Sequence, residues 1–434
     1  SFTNNKANYG GAIHWNGVEG SLTNSNFTKN NAKQEGGAVY WNGPNGALFN
    51  SNFYNNSANS AGAGVYWTGT KGTITNSTFT SNNASFGGAL FWSANNGTLT
   101  STTFINNTAS ANSGSINWDG ANGHIINSTF INNIATGVGG GIAFGTGSAN
   151  STIINSTFRN NKANRGGAIY YAGGATNSII INSTFTDNDA KDYGGAICWI
   201  SHNGIVTNSN FTSNTAVNYG AAIFWFGANG KATDCNFKGN NAKVNGGAVY
   251  WAAENGTLTD SNFTNNNAAH GGAVYWNGAN GILTNCTFMN NIANEWGGAV
   301  SWAASSGKLT NSIFIGNSAI GIDNNAGNGG AIDWSGNNGT LTCCNFTKNT
   351  ANQGGAVHWA YSGNNGTLTD CTFIDNSANH NGGAIYWYSS PRNINSLLYN
   401  CNFKDNHAIL GNNVYWFWTV NDFLNKYNQI NDYD

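Results

Sequence analysis

Ser77-Thr78-Phe79-Thr80-Ser81-Asn82-Asn83-Ala84-Ser85-Phe86-Gly87-Gly88-Ala89-Leu90-Phe91-Trp92 is one copy of a string that returns, lightly edited, sixteen times and fills nearly all 434 residues. Aligned on the first Phe, the copies begin at positions 2, 27, 53, 79 and so on to 403, mostly 25 or 26 residues apart. Phe-x-x-Asn-x-Ala is intact in every copy, from Phe2/Asn5/Ala7 to Phe403/Asn406/Ala408. Repetition at this period overrides a domain count based on length and predicts units that stack on one another.

Each copy divides into three strand-like runs. In Thr73-Ile74-Thr75 the central residue is apolar in every complete copy, and an Asn, Asp, Ser or Cys follows it (Asn76 here). A single Asn between strands suits a tight bend, because Asn tolerates the left-handed conformation. Stacked Asn side chains can also bond to one another as a ladder. The second run, Ser77-Thr78-Phe79, ends before the invariant Asn82, which marks the next bend. The third, Gly87 to Trp92, carries Ile, Val or Leu at its fourth position and closes on Trp except at Phe144 and Tyr171. Strands this short bury nothing alone, so each must pair in register with its own copy. The predicted fold is an all-β, right-handed parallel β-helix of about sixteen coils with three short strands per coil. At ~4.8 Å per rung it would run to about 75 Å. The interior should hold columns of Phe, Ile/Val and Leu, with Trp inside or at a corner.

The predicted domain spans 1–420, with a small C-terminal cap or docking tail over 421–434, where Phe423, Leu424, Tyr427 and Ile430 follow helical spacing. About six extra residues near Ile320 to Asn325, and the loops after Phe144, Tyr171 and Trp387, should protrude. The chain begins inside a repeat, which reads as a mature or excised piece. A bare first rung of Phe2, Ile13 and Trp15 invites end-to-end self-association into fibres.

Charged residues are 8% and the net charge is −2, which removes the basic footprint of a nucleic-acid binder. No apolar run approaches the ~18 residues of a membrane span. Sequons at Asn26, Asn96, Asn210, Asn255, Asn262, Asn338, Asn345 and Asn365 are candidate glycosylation sites and favour an extracellular or cell-surface location.

The pairing of Phe-x-x-Asn with Gly-Gly-Ala-Ile/Val/Leu resembles the repeat of the chlamydial polymorphic membrane proteins and of adhesin-like surface proteins of methanogenic archaea. The resemblance runs from Phe2 to Trp416, with departures such as Gly62-Ala63-Gly64-Val65, Ser113-Gly114-Ser115-Ile116, Gly139-Gly140-Gly141-Ile142 and Gly411-Asn412-Asn413-Val414. It implies a surface-exposed parallel β-helix used in adhesion. The motif positions are structural, so they specify the coil and leave the ligand open.

Candidate sites lie outside the motif. The residue before Trp points outward and is aromatic at Tyr40, Tyr66, Phe91, Phe224, Tyr250, Tyr275, Tyr386 and Tyr415, a platform of the kind that sugars and partner proteins use. Cross-strand stacking that only stabilises the sheet explains the same pattern. The best carboxylate cluster is Asp187, Asp189 and Asp192, which also reads as a polar outer bend. Asp375 and Asp405 recur at one repeat position and are weak candidates for a metal site. Cys235, Cys286, Cys344, Cys371 and Cys401 replace the Ser two residues before Phe, which predicts buried, Ser-like free thiols; Cys344, Cys371 and Cys401 also fall close enough for disulfides. Thr-x-Thr pairs such as Thr73/Thr75 resemble an ice-binding face, but Phe49, His124, Ile179, Lys231 and Lys308 interrupt them. The reading is a non-enzymatic surface β-helix, without cofactor, that adheres to carbohydrate or cell-surface protein or builds a surface filament. A polysaccharide-active lyase or hydrolase is the alternative, and an ice-binding β-helix the third.

Overall fold

The structure is a computed structural model that describes residues 1–321, 327–360, 362–389 and 396–418. The expected cap over 421–434 lies outside the described residues, as do most of the insertion after Phe314 and 390–395 after Trp387. The chain forms two compact units, Ser1–Ala216 and Val217–Asp434. Both are built from the same coil, a turn of right-handed parallel β-solenoid, with about 16 turns in all. The described residues contain strands and no helix.

The coil has four sides where the sequence predicts three strands. In the first unit the copy around Phe79 runs through Thr73–Thr75 (the Leu face), Thr78–Thr80 (the Phe face), Asn83–Phe86 (the Ala face) and Leu90–Trp92 (the Trp face). Each pairs in parallel with its own copy: Ile74 with Leu99, Phe79 with Phe104, Ala84 with Ala109 and Trp92 with Trp118. The second unit repeats the pattern at Thr257–Thr259, Asn262–Thr264, Asn267–His270 and Val274–Trp276. The Ala face was hidden because many of its strands are only two residues long, as at Asn31–Ala32 and Ser57–Ala58.

Four corners need four residues in the left-handed region, and the sequence supplies them in columns. Asn76, Ser81, Gly87 and Asn96 have φ of 55°, 55°, 56° and 59°. Asp260, Asn265, Gly271 and Asn280 do the same in the second unit, at 52°, 55°, 60° and 57°. The residue after the Leu face is thus the expected Asn bend, and Ser101 and Cys343 take it where Asn is replaced. A predicted amide ladder exists there in places, as from Asn182 to Asn155 at 2.7 Å.

The invariant Asn of Phe-x-x-Asn has a different task from the bend first assigned to it. The residue before it makes the corner, and the Asn points inward. Asn133 shows the pattern: its Oδ1 accepts from the backbone N and the Nδ2 of Asn107, both at 3.0 Å. Its Nδ2 donates to Phe104 O at 3.1 Å and Asn161 Oδ1 at 3.0 Å. Fully buried amides repeat this from coil to coil, so an interior polar column is satisfied rung by rung.

The remaining interior is aromatic and aliphatic. Phe104, Phe130 and Phe158 stack at 5.0 and 4.6 Å, and Trp251, Trp276 and Trp302 at 4.8 and 4.6 Å. The indoles lie fully inside. That explains the Gly just before most Leu faces: a Cβ on Gly97 would meet the Trp92 indole at 2.5 Å, and Ser151 and Ser178 stand there where Phe144 and Tyr171 replace the indole.

Candidate functional site

With Ala, Ile and Trp of the third run turned inward, the residue between Ile and Trp is left on the outer surface of the Trp face. In the first unit Tyr40, Tyr66 and Phe91 stack there at 5.1 and 5.0 Å. In the second unit Phe224, Tyr250 and Tyr275 stack at 5.4 and 5.2 Å, and Tyr386 meets Tyr415 at 5.5 Å. All eight predicted platform residues therefore lie in three short ladders. They are less open than the sequence implied: Phe224 and Tyr386 are only 7% and 6% exposed, and the others are half-buried. Burial pushes the Tyr66 and Tyr386 phenols up to about 12.

What hems them in is the residue just before the first Gly of the third run, which the sequence reading passed over. Tyr219 stacks on Tyr250 at 4.8 Å and Tyr9 meets Tyr40 edge-on at 5.6 Å; within this neighbouring column itself His270 lies on Trp296 at 4.4 Å. Aromatic residues immediately ahead of the first Gly of the third run (Tyr9, Phe86, Tyr193, Tyr219, Trp296) were the available signal.

Between the ladders the column changes character. In the second unit Tyr275 is followed by Ser301, Asp333 and His358 before Tyr386 resumes it. His358 Nδ1 and Asp333 Oδ1 are 2.6 Å apart, largely buried, and the imidazole lies 5.2 Å from the Tyr386 ring. His270 stands near Glu295 at 3.9 Å, and burial pulls its pKa below 6.5 against the opposing pull of Glu295 and Asp333. This Asp–His pair was legible as two departures from Tyr and Phe in the pre-Trp position.

In the first unit the column runs Phe91, Asn117, Ala143, Tyr170. The two small rungs open a groove of about 400 Å³. Ser113 Oγ donates to Asn117 Oδ1 at 3.1 Å, and the Asn117 side chain lies near the Asp119 carboxylate and favours its charged form. Burial raises the Asp119 pKa above 3.8, and the neighbouring Asn117 amide works against the rise.

The other predicted residues separate. Asp187 and Asp189 line a second groove, of about 610 Å³, with Lys162. Asp187 is a left-handed corner, and Asp189 accepts from Thr215 Oγ1 at 2.6 Å. Asp192 instead pairs with Arg165 Nε at 3.1 Å, so the three carboxylates form no common cleft. Asp375 and Asp405 occupy neighbouring corners, where Asp375 N donates to Lys404 O at 3.1 Å. No set of three or more His, Cys, Asp or Glu gathers around one point among the described residues.

All seven cysteines are free. Cys344 Sγ donates to Thr342 O at 3.2 Å and accepts from Ser312 N at 3.4 Å, as Ser77 Oγ donates to Thr75 O at 2.9 Å and accepts from Ser51 N at 3.1 Å. The predicted Ser-like packing is what the structure has. The candidate sequon residues are all exposed: Asn26, Asn210, Asn262 and Asn345 on the Phe face, and Asn96, Asn255, Asn338 and Asn365 at the corner before the Leu face.

This geometry agrees with the comparisons. The right-handed β-helix region family matches residues 11–185 and 114–277, more than half of the chain, and the chain belongs to that family. The Chlamydia polymorphic membrane protein repeat matches residues 1–14, 285–301 and 370–386. No curated protein matches the chain. Among solved structures, similarity extends to a PL6 alginate lyase in complex with a trisaccharide (12% identity, 90% of this chain and 81% of that one, TM-score 0.34). It extends also to a TibA fragment hyper-glycosylated by TibC (13%, 92% and 99%, TM-score 0.31). A mannuronic-acid-specific family 6 polysaccharide lyase from human gut microbiota is similar at 8% identity (88% and 75%, TM-score 0.29). At these identities and TM-scores the likeness carries no chemistry over to this chain.

Proposed function

We propose that this chain is the adhesive, non-enzymatic β-solenoid of a cell-surface protein, with the outer side of its Trp face as the binding surface. The observation that carries the reading is the set of in-register aromatic ladders, Tyr40–Tyr66–Phe91, Phe224–Tyr250–Tyr275 and Tyr386–Tyr415. Ring ladders present apolar edges and polar hydroxyls together, the combination that recognises saccharide and protein surfaces. The matches to a membrane-protein repeat support the cell-surface location. No helix of the described residues is long and apolar enough to cross a membrane.

The test is retention of the purified chain on immobilised cell-surface glycans and matrix proteins. Changing Tyr250 and Tyr275 together to Ser, the residue that Ser301 already places in the same column, should leave the fold intact and weaken retention at least tenfold. Unchanged retention would refute the reading.

A polysaccharide-active alternative rests on one observation, the Asp333–His358 pair beside Tyr386. A carboxylate that orients an imidazole next to a phenol is an arrangement that can move a proton. Release of unsaturated or reducing ends from uronate polysaccharides, lost in His358→Ala, would establish that alternative and overturn the first reading.

A further inference from the structure

We propose that the break in the outer ladder between Phe91 and Tyr170 is a binding site for a neutral glycan one or two sugars long. The inference rests on the reading of the Trp face as a binding surface and locates a specific pocket on it. Phe91 and Tyr170 are three rungs apart, about 14 Å at ~4.8 Å per rung. The two rungs between them hold Asn117 and Ala143, which leave space where an aromatic ring would otherwise stand. The resulting groove, about 400 Å³, falls within the ~300–1,000 Å³ of small-ligand sites.

Its walls and floor differ in chemistry. Phe91 stacks on Tyr66 through one face, and the register places Asn117, not a ring, against the other. The π-face on that side has no ring stacked on it and is negative, and the C–H face of a pyranose carries the complementary partial charge. The floor is polar: Ser113 fixes the Asn117 amide, and the Asp119 carboxylate lines the groove with it. Gly145 lets that carboxylate lie across the next coil, since a Cβ there would collide with Asp119 Oδ1. No ion pair among the described residues reaches Asp119. Hydroxyl donors suit such a carboxylate, and adjacent sugar hydroxyls would give charge-assisted bonds to its oxygen pair. A uronate would instead set a second negative charge beside a partly desolvated one.

The experiment titrates the full chain with cellobiose, mannobiose, digalacturonate and tetramethylammonium, by calorimetry or ligand-observed NMR. The neutral disaccharides should bind and the other two should not. Asp119→Asn should weaken binding severalfold. Ala143→Tyr puts into the gap the residue that Tyr170 supplies one coil later, so the coil tolerates it while the groove closes; binding should fall at least tenfold with the melting temperature unchanged. Neutral sugars that bind Ala143→Tyr as well as the parent, or tetramethylammonium binding in their place, would overturn the proposal. If Ala143→Tyr binds normally and the Tyr250/Tyr275 variant loses glycan retention, this inference falls and the adhesive reading stands. If neither variant affects any binding, both fall.

Discussion

Removing one amide from the interior column should cost more than its size suggests. Asn133→Ala takes away the acceptor for Asn107 N and the donor for Phe104 O, both in the fully buried column. Asn161 Oδ1 keeps the bond from Asn133 N, so it is not stranded. Phe104 O keeps the ladder bond that its strand pairing provides, so one buried donor, Asn107 N, is orphaned, and the loss is roughly 1–3 kcal/mol. The control is Asn52→Ala, which loses one exposed amide bond, to Asn26 at 2.9 Å, and should change stability by no more than ~0.5 kcal/mol. Asn133→Asp sharpens the test. It keeps an acceptor for Asn107 but turns an acceptor oxygen towards Phe104 O and Asn161 Oδ1, inside a dry core. Burial and missing donors raise the folded-state pKa of the new carboxyl. Its contribution is then least damaging below the unfolded value of about 3.9 and worsens as pH rises through the folded value. Asn133→Asp should be less stable than Asn133→Ala at neutral pH, and the gap should narrow or reverse in acid. Urea unfolding gives the magnitudes, and hydrogen exchange resolved by peptide should place the loosening between residues 104 and 161. If Asn133→Ala costs no more than Asn52→Ala, the amide column does not stabilise the solenoid and the reasoning fails.

Phe130→Ala removes a ring stacked at 5.0 and 4.6 Å on its neighbours and should cost about 3–5 kcal/mol in urea unfolding; a loss below ~1 kcal/mol would contradict its burial. Cys344→Ser should fall within ~1.5 kcal/mol of the parent, while Cys344→Val, which strands Ser312 N, should be worse by ~1–3 kcal/mol. In the native chain a thiol reagent should label exposed Cys343 well before its buried neighbour Cys344, and equal rates would refute the inward assignment. The Asp119 carboxyl has a folded pKa above 3.8, so its stabilising contribution is complete in acid and is lost as pH rises through that folded value. Asp119→Asn should therefore raise the melting temperature at neutral pH but not in acid, and parallel melting curves across pH would refute the assignment.

Where a repeat position decides backbone or core, the sequence was readable. Phe130, Ile142 and Leu99 stand where periodicity put them, and the Asn76 and Asp260 corners follow from the need for positive φ. The Ala face escaped because Asn31–Ala32 is too short for an alternating pattern to show. The role of Asn82 escaped for another reason: an Asn in a string reads equally well as a bend or as a rung, and only the neighbouring Ser81, with φ of 55°, shows which residue turns. At the candidate sites the limit was register. Asp333 and His358 are 25 residues apart in the chain and 2.6 Å apart in space, a closeness that only the alignment of pre-Trp residues could have suggested. Asp119 lay off the repeat positions being compared, so its place beside Asn117 in one groove had no sequence signal.

The division between faithful and variable positions says where this architecture can hold specificity. An inward residue is locked by the copies on both sides: at the Phe130 rung any change alters two stacks, and at Asn133 it breaks bonds into two coils. The pre-Trp residue is free of that constraint because its column tolerates Tyr, Phe, Asn, Ala, Cys, Ser, Asp and His on the same backbone. A row of rings that is merely continuous gives a ligand only edges. A row that stops gives it a face, a floor and two walls, as at Phe91, Asn117, Ala143 and Tyr170. The departures from the repeat on this face therefore carry more chemical information than the repeat itself. Restoring the repeat at such a gap should remove binding while leaving the coil as stable as before.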